Sequence, residues 1–377
     1  MRQERLIPGL YLHIPFCRSR CAYCDFFSVT DTGLIPRYLQ ALFKEIEAYR
    51  HEFTQFDTVY LGGGTPSLLS ITQIEALLEK LRHTFTILPD AEITIEVNPA
   101  DWQREDLLAL RGLGINRISI GVQSLDADEL ILLSRRHNPQ QAINTLKDAR
   151  HAGLANISVD LIYGLPGQTL EKWLDTLERT LTFNPPHLSC YELELKEHTP
   201  LGKRYAKGEF SLQTQELQRD FFLRTSEFLE KAGYLHYEIS NFAAGMENAS
   251  RHNQKYWDHT PYLGLGPSAH SFNAGRRWWN HESLMEYCRD LEGGKLPVSN
   301  SEMLDNDQLR LEALFLGLRM KKGIDLDQYQ RRYGCDLMKE NGATLKEWAD
   351  TGLVEITRSV IRPTRAGMAV ADALALL

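Results

Sequence analysis

The stretch CRSRCAYCDF, residues Cys17 to Phe26, sets three cysteines within eight residues at the spacing C-x3-C-x2-C. It follows the β-like run LYLHIPF, so the thiols sit just past a candidate strand. A disulfide consumes two thiols and a closed structural metal site takes four ligands; three suits neither. Thiolates bind soft metals, and iron–sulfur clusters are held mostly by cysteine. A four-iron cluster on three thiolates keeps one iron open, and an open iron can chelate a molecule bringing an amine and a carboxylate. Zinc is the rival reading, with His13 completing a tetrahedral site. The other cysteines, Cys190, Cys288 and Cys335, are scattered. That usage fits a reducing compartment, where clustered thiols bind metal rather than pair.

Outward from this loop the chain alternates β-like and helical runs. The strands read LYLHIPF, TVYLGG, EITIEVNP, RISIGVQS, ISVDLIYGLP and HLSCYELEL; between them lie amphipathic stretches such as PRYLQALFKEIEAYR and LEKWLDTLERTLTF. Ser70 and Gln73 form a capping box for the helix over ITQIEALLEKLRHTF. Alternation of this kind means βαβ units and a parallel sheet, in an α/β fold. Six units either close partly into a barrel or stay open as a doubly wound sheet, and periodicity does not choose between them. The unusual residues fall at the C-terminal ends of successive strands: the cysteine loop, Gly62 to Pro66, Glu96, Gln123 and Asp160. Ligand sites of βα folds gather at that edge, so these motifs should converge on one pocket. LGGGTPS offers backbone for close approach to a ligand, but it lacks the Lys-Ser/Thr of a P-loop and is not G-x-G-x-x-G.

Beyond about residue 200 the pattern changes. A long helix over 212–232 leads to the strand-like YLHYEIS, then to the polar, aromatic stretch RHNQKYWDHTPYLGLGPSAHSF. The tail reads helix, short β-hairpin, helix, as in a small α+β, winged-helix-like domain. The expected division is 1–235, 236–300 and 301–377. The 377 residues are 43% hydrophobic and 24% charged, with a formal net charge of -8, an ordinary globular composition with no basic surplus for nucleic acid. The opening residues lack a signal-peptide pattern, and no run of about 18 apolar residues exists for a membrane span. The expected location is the cytoplasm.

The run YLHIPFCRSRCAYCDF, with GGGTP, EVNP, GVQS and DLIYGLP, resembles the radical S-adenosylmethionine (SAM) superfamily. Within it the chain is similar to the branch of oxygen-independent coproporphyrinogen III oxidase and the HemW-type heme chaperones, over nearly its whole length. The resemblance implies a partial (β/α)6 barrel with a cluster at its mouth. Cys17, Cys21 and Cys24 would hold a [4Fe–4S] cluster, and SAM would take the open iron. Matching to the family implies SAM contacts at Tyr11, Tyr23, Gly63, Gly64, Thr65, Glu96, Gln123, Arg135 and Asp160. Those residue types suit SAM chemically, with glycine backbone for close approach, carboxylates and amides for hydroxyls or ammonium, and a guanidinium for a carboxylate.

Two departures separate the branch members. The oxidase pattern has a further cysteine two positions after the third, where this chain has Phe26, and the oxidase carries a long segment before its first strand, where this chain has about ten residues. Both match the chaperones. HNQKYW, His252 to Trp257, matches H-N-x-x-Y-W, which the resemblance associates with heme binding. His252 would be the axial-ligand candidate, with Asn253, Tyr256 and Trp257 around the porphyrin; His259, His270 and His281 are alternatives. The resemblance thus implies a heme chaperone rather than a coproporphyrinogen oxidase, with coproporphyrinogen oxidation as the alternative and the question of enzymatic activity left open. It also implies a homodimer and acceptors that are respiratory membrane hemoproteins or heme-binding ferritins.

Overall fold

The computed structural model describes residues 6–374. The readings of the chain's first residues and its last apolar run reach into 1–5 and 375–377, which lie outside the described residues.

Six βα units come first: β1 Gly9–Ile14, α1 Ile35–Ala48, β2 Gln55–Gly63, α2 Ile71–Thr84, β3 Thr86–Val97, α3 Arg104–Gly112, β4 Arg117–Gln123, the pair α4 Ala127–Leu132 and α5 Pro139–His151, β5 Asn156–Tyr163, α6 Leu170–Leu181 and β6 His187–Glu192. Helices α7 Pro200–Ala206 and α8 Gln215–Lys231 lead to the short strands β7 Leu235–Glu238 and β8 Asn241–Ala243. Then follow α9 Arg251–Trp257, β9 Tyr262–Leu265, β10 His270–Asn273, β11 Arg276–Asn280, α10 Leu284–Glu292 and β12 Val298–Met303. The last module is α11 Asn306–Gly317, β13 Ile324–Asp325, α12 Leu326–Tyr333, α13 Leu337–Asp350, β14 Val354–Ile356, β15 Val360–Pro363, α14 Arg365–Met368 and α15 Ala371–Leu374.

The main sheet has twelve strands in the order β12-β11-β10-β9-β1-β2-β3-β4-β5-β6-β8-β7, with β1 to β6 adjacent in chain order and all parallel. This order resolves the ambiguity that periodicity left. Right-handed crossovers that always step the same way put every connecting helix on one face, the winding of a barrel rather than of a doubly wound sheet. Strand β1 pairs with β9, and β6 with β8, so the barrel is partial and stays open.

Alternation along the strands separates two faces. In β1, Leu10, Leu12 and Ile14 are fully buried against the helices. The opposite, inner face is polar: Tyr11, His13, Thr58, Tyr60, Glu92, Glu96, Ser119, Ser158 and Asp160 occupy it, and the parallel register sets Tyr11 beside Tyr60 and Glu96 beside Ser119. A polar inner face is what a ligand-holding barrel needs and what a structural one avoids. The Ser70–Gln73 capping box on α2 forms as the sequence predicts. The C-terminal module has its own core and a three-stranded sheet β13-β15-β14, with the helix and strand order of a winged helix. Among the described residues no helix is long and apolar enough to cross a membrane.

Candidate functional site

The loop after β1 is pinned on several sides. Cys17 N donates to Val29 O at 2.9 Å, Val29 N returns to Pro15 O at 2.6 Å, and Ala22 N reaches Leu133 O at 3.2 Å. His13 holds the far end through Nε2 and Phe27 O, 2.8 Å apart, while its Nδ1 meets Tyr11 Oη at 3.0 Å. Both imidazole nitrogens of His13 are thus engaged, and burial lowers its pKa to about 4. A histidine so employed is not offered to zinc.

The three thiols are unpaired and line one cavity of about 630 Å³ at the C-terminal ends of the strands. Around them stand Tyr23, Gly63, Gly64, Thr65, Glu96, Gln123, Arg135 and Asp160. The convergence expected from the strand ends is therefore present. Tyr11 is the exception: it lies below, hydrogen-bonded to His13, and is not part of the cavity wall.

The electrostatics favour a polar, partly anionic occupant beside bound sulfur. Thr65 Oγ1 donates to Cys17 Sγ and Arg135 Nη1 to Cys21 Sγ, each at 3.4 Å. Arg135 Nη2 is held by Asn98 Oδ1 at 2.5 Å and Gly121 O at 2.7 Å, leaving its buried Nε without a partner among the described residues. An orphaned guanidinium N–H costs stability unless a ligand accepts from it. Burial pushes the Cys24 thiol up to about 11 and raises Cys17, so metal binding there must expel protons. Glu96, lifted to about 7 by burial, accepts from Tyr60 Oη at 2.8 Å and Gly63 N at 3.1 Å. Asp160 accepts from Ser119 Oγ at 2.9 Å.

The glycine run has a geometric cause. Gly63 adopts φ +111, in the region where side chains are strained, and a Cβ on Gly64 would lie 2.8 Å from Phe16 O. Gly64 N donates to Ile14 O at 2.9 Å, so both Gly63 and Gly64 have their N–H groups used within the protein. Their contribution to the wall is closeness, not donated hydrogen bonds. Gln123 also sits at positive φ, 65, at a shift in the β4–β5 register. Such a conformation is held only where its surroundings over-determine it.

The residues thus fit a cluster and a zwitterionic, hydroxyl-bearing cofactor: three thiols with sulfur-directed donors, two acceptor carboxylates and an unmatched guanidinium. Among the described residues no three His, Cys, Asp or Glu side chains are arranged to hold a single metal ion. A four-iron cluster places each thiolate on a different iron, so it does not need three sulfurs on one point. Phe26, where the oxidase pattern has cysteine, lines the cavity with 71% of its surface exposed.

The HNQKYW motif lies elsewhere. It forms α9, which plugs the inner face near the strand starts. Glu92 receives its N-terminus, with Oε1 accepting from His252 N at 3.0 Å and Oε2 from Arg251 N at 3.2 Å, and Lys255 pairs with Asp57 at 2.7 Å. His252 is 1% exposed; its Nδ1 meets Thr58 Oγ1 and its Nε2 meets Tyr256 Oη, both at 2.9 Å. Burial lowers its pKa to about 3, so it is neutral. Asn253 N donates to the Ser250 cap, and the buried Trp257 Nε1 has no partner among the described residues. None of these four side chains lines the cysteine cavity. His259 is held by Tyr333 and Glu312, and His281 by Asp290, whereas His270 stacks on Trp279 with centroids 5.6 Å apart.

Sequence reasoning missed Tyr60. It lines the cavity, donates to Glu96, and stacks on His252 with ring centroids 5.1 Å apart. Period-two counting back from Gly62 would have set it on the inner face; nothing in the sequence pointed to the histidine across from it.

A parallel, singly wound partial barrel with a three-thiol loop at its mouth defines a radical SAM protein. The Radical SAM superfamily model matches residues 11–180 and the HemN C-terminal domain model residues 304–370. The chain is 35% identical to the heme chaperone HemW of Lactococcus lactis, over 95% of this chain and 93% of that one. It is 33% identical to the mitochondrial radical S-adenosyl methionine domain-containing protein 1 of Bos taurus, over 98% and 86%. The structure of the Escherichia coli coproporphyrinogen III oxidase HemN superposes with a TM-score of 0.85 at 27% identity, covering 100% of this chain and 91% of the oxidase. The chain belongs to the HemW family of the radical SAM superfamily.

Proposed function

We propose that the protein is a heme chaperone, which binds heme and passes it to acceptor hemoproteins. In this reading Cys17, Cys21 and Cys24 hold a [4Fe–4S] cluster and SAM lies beside it in the same cavity. The observation that carries the reading is kinship with HemW over nearly the full length of both chains. Phe26 at the fourth-cysteine position supports it. When bound, the cluster supplies a one-electron carrier and an open iron for the amino and carboxylate groups of SAM. The chain's own part is to bind and orient. Thr65 and Arg135 donate toward the sulfurs, the free Nε of Arg135 suits a carboxylate, and Glu96, Gln123 and Asp160 suit hydroxyl or ammonium groups. Tyr23, Gly63 and Gly64 bound the space.

The heme role is assigned to the α9 helix that carries His252, Asn253, Tyr256 and Trp257. The acceptors proposed are respiratory membrane hemoproteins or heme-binding ferritins, met from the cytoplasm, and the cluster would favour a homodimer. The test is an anaerobic heme titration of cluster-reconstituted protein. Saturable uptake near one to one, followed by transfer to an apo-hemoprotein, is expected; absence of specific uptake overturns the reading. The full-length superposition on HemN favours one other reading, the oxidase. It predicts anaerobic conversion of coproporphyrinogen III to protoporphyrinogen IX with SAM consumed, and no product is expected here.

A further inference from the structure

A second cavity, of about 540 Å³, opens where β7 and α9 meet the start of the C-terminal module. Its walls include Leu235, Met246, Gln254, Met320, Lys321 and Lys322. That volume lies within the range of small-molecule and cofactor sites. Resting on the heme-chaperone reading, we infer that this cavity is the heme seat: the flat apolar ring lies against Leu235 and Met246, and the two propionates meet Lys321 and Lys322.

Three observations carry the assignment. Leu235 is 46% and Met246 53% exposed, so two large apolar side chains at one opening are left facing water. Neither lysine is ion-paired among the described residues, and Glu230, the acid in this wall, is already engaged by Arg365. The seat therefore offers unmatched positive charge at the edge of an apolar slot, the complement of an amphipathic dianion. Finally, Gln254 reaches the slot from α9 while His252 and Tyr256 on the same helix point into the barrel. The motif helix thus forms a wall common to the heme seat and the barrel interior, and His252 serves heme by placing that helix, not by meeting iron. The cysteine cavity is left to cluster and SAM.

The experiment is the anaerobic heme titration of full-length, reconstituted protein, with heme and with heme whose propionates are esterified. The Lys321→Ala/Lys322→Ala double variant should lose at least tenfold in heme affinity, while binding the diester as wild type does. Leu235→Glu, at an exposed position that tolerates charge, should weaken both probes at least tenfold. Iron content and far-ultraviolet circular dichroism confirm that the variants fold. Wild-type affinity for heme in both variants overturns the seat but leaves the chaperone reading standing. A wild type that takes up no heme overturns both.

Discussion

At the scale of single residues, the informative contrast is between two histidines and three cysteines. His13 and His252 read from the sequence as ligands in waiting, yet each has both ring nitrogens occupied and each is held neutral by burial. The cysteines are free, as their spacing suggested. Serine at Cys17, Cys21 or Cys24 is expected to abolish incorporation of iron and sulfide while leaving the circular dichroism of the apo-protein unchanged, as metal and sulfide assay would show. His252→Ala removes two buried hydrogen bonds worth about 1 kcal/mol each and leaves a hole beside Tyr60, for a total of about 2–4 kcal/mol. Denaturant unfolding measures that loss. The visible spectrum of the heme-loaded variant should keep the wild-type ligand bands; their disappearance would put His252 on the iron. Residue type and spacing made the thiols legible, whereas the partners of a histidine come from strands far away in sequence and were not.

At the scale of elements, buried acids fasten the structure. Glu45 of α1 accepts from Gly266 N at 2.8 Å, Asn280 Nδ2 at 2.6 Å and Tyr287 Oη at 2.6 Å, tying the helix to the turn after β9, to β11 and to α10. Burial raises its pKa from 4.5 to about 7, as it does for Glu96 and Glu238. A carboxyl of this kind is more readily protonated in the folded chain than in the unfolded one. Its contribution is full below about pH 4.5 and is lost as pH rises through about 7, a swing of up to about 3 kcal/mol for Glu45. Unfolding midpoints should therefore fall between about pH 4.5 and 7, and Glu45→Gln should flatten part of that slope. An unchanged slope in the variant would mean that Glu45 is ionised in the fold. The helices and strands themselves were readable, since periodicity and caps are local. Glu45 was not, because it lies on an ordinary amphipathic helix and its partners are more than 200 residues away.

At the scale of the whole molecule, the C-terminal module is joined to the barrel through a polar seam. Tyr333 Oη meets His259 Nδ1 at 3.0 Å, Glu312 bridges His259 at 3.1 Å and Arg277 at 2.5 Å, and Arg332 donates to the carbonyls of Asp258 and His259. Glu312→Ala leaves Arg277 and His259 without their shared acceptor. It should loosen the module first, seen as earlier proteolytic cleavage within 304–370 than within the barrel; equal cleavage rates would show that the seam is held by apolar contact instead. The seam also bears on function, because Lys321 and Lys322 follow α11 and line the second cavity only while the module is docked. The sequence by itself determined the βα alternation, the cysteine loop, the strand-end ring of polar residues and kinship with the radical SAM proteins. Those features rest on short-range spacing, hydrophobic period and caps, all read along the chain. Only the tertiary structure decided that the sheet winds one way and stays open, that HNQKYW is a helix closing the barrel floor, and that Tyr60 joins that helix to the cysteine cavity. It alone set β7, α9 and residues 320–322 around one slot. Such outcomes depend on which distant strands pair and which side chains meet across the core, and no local pattern encodes those meetings.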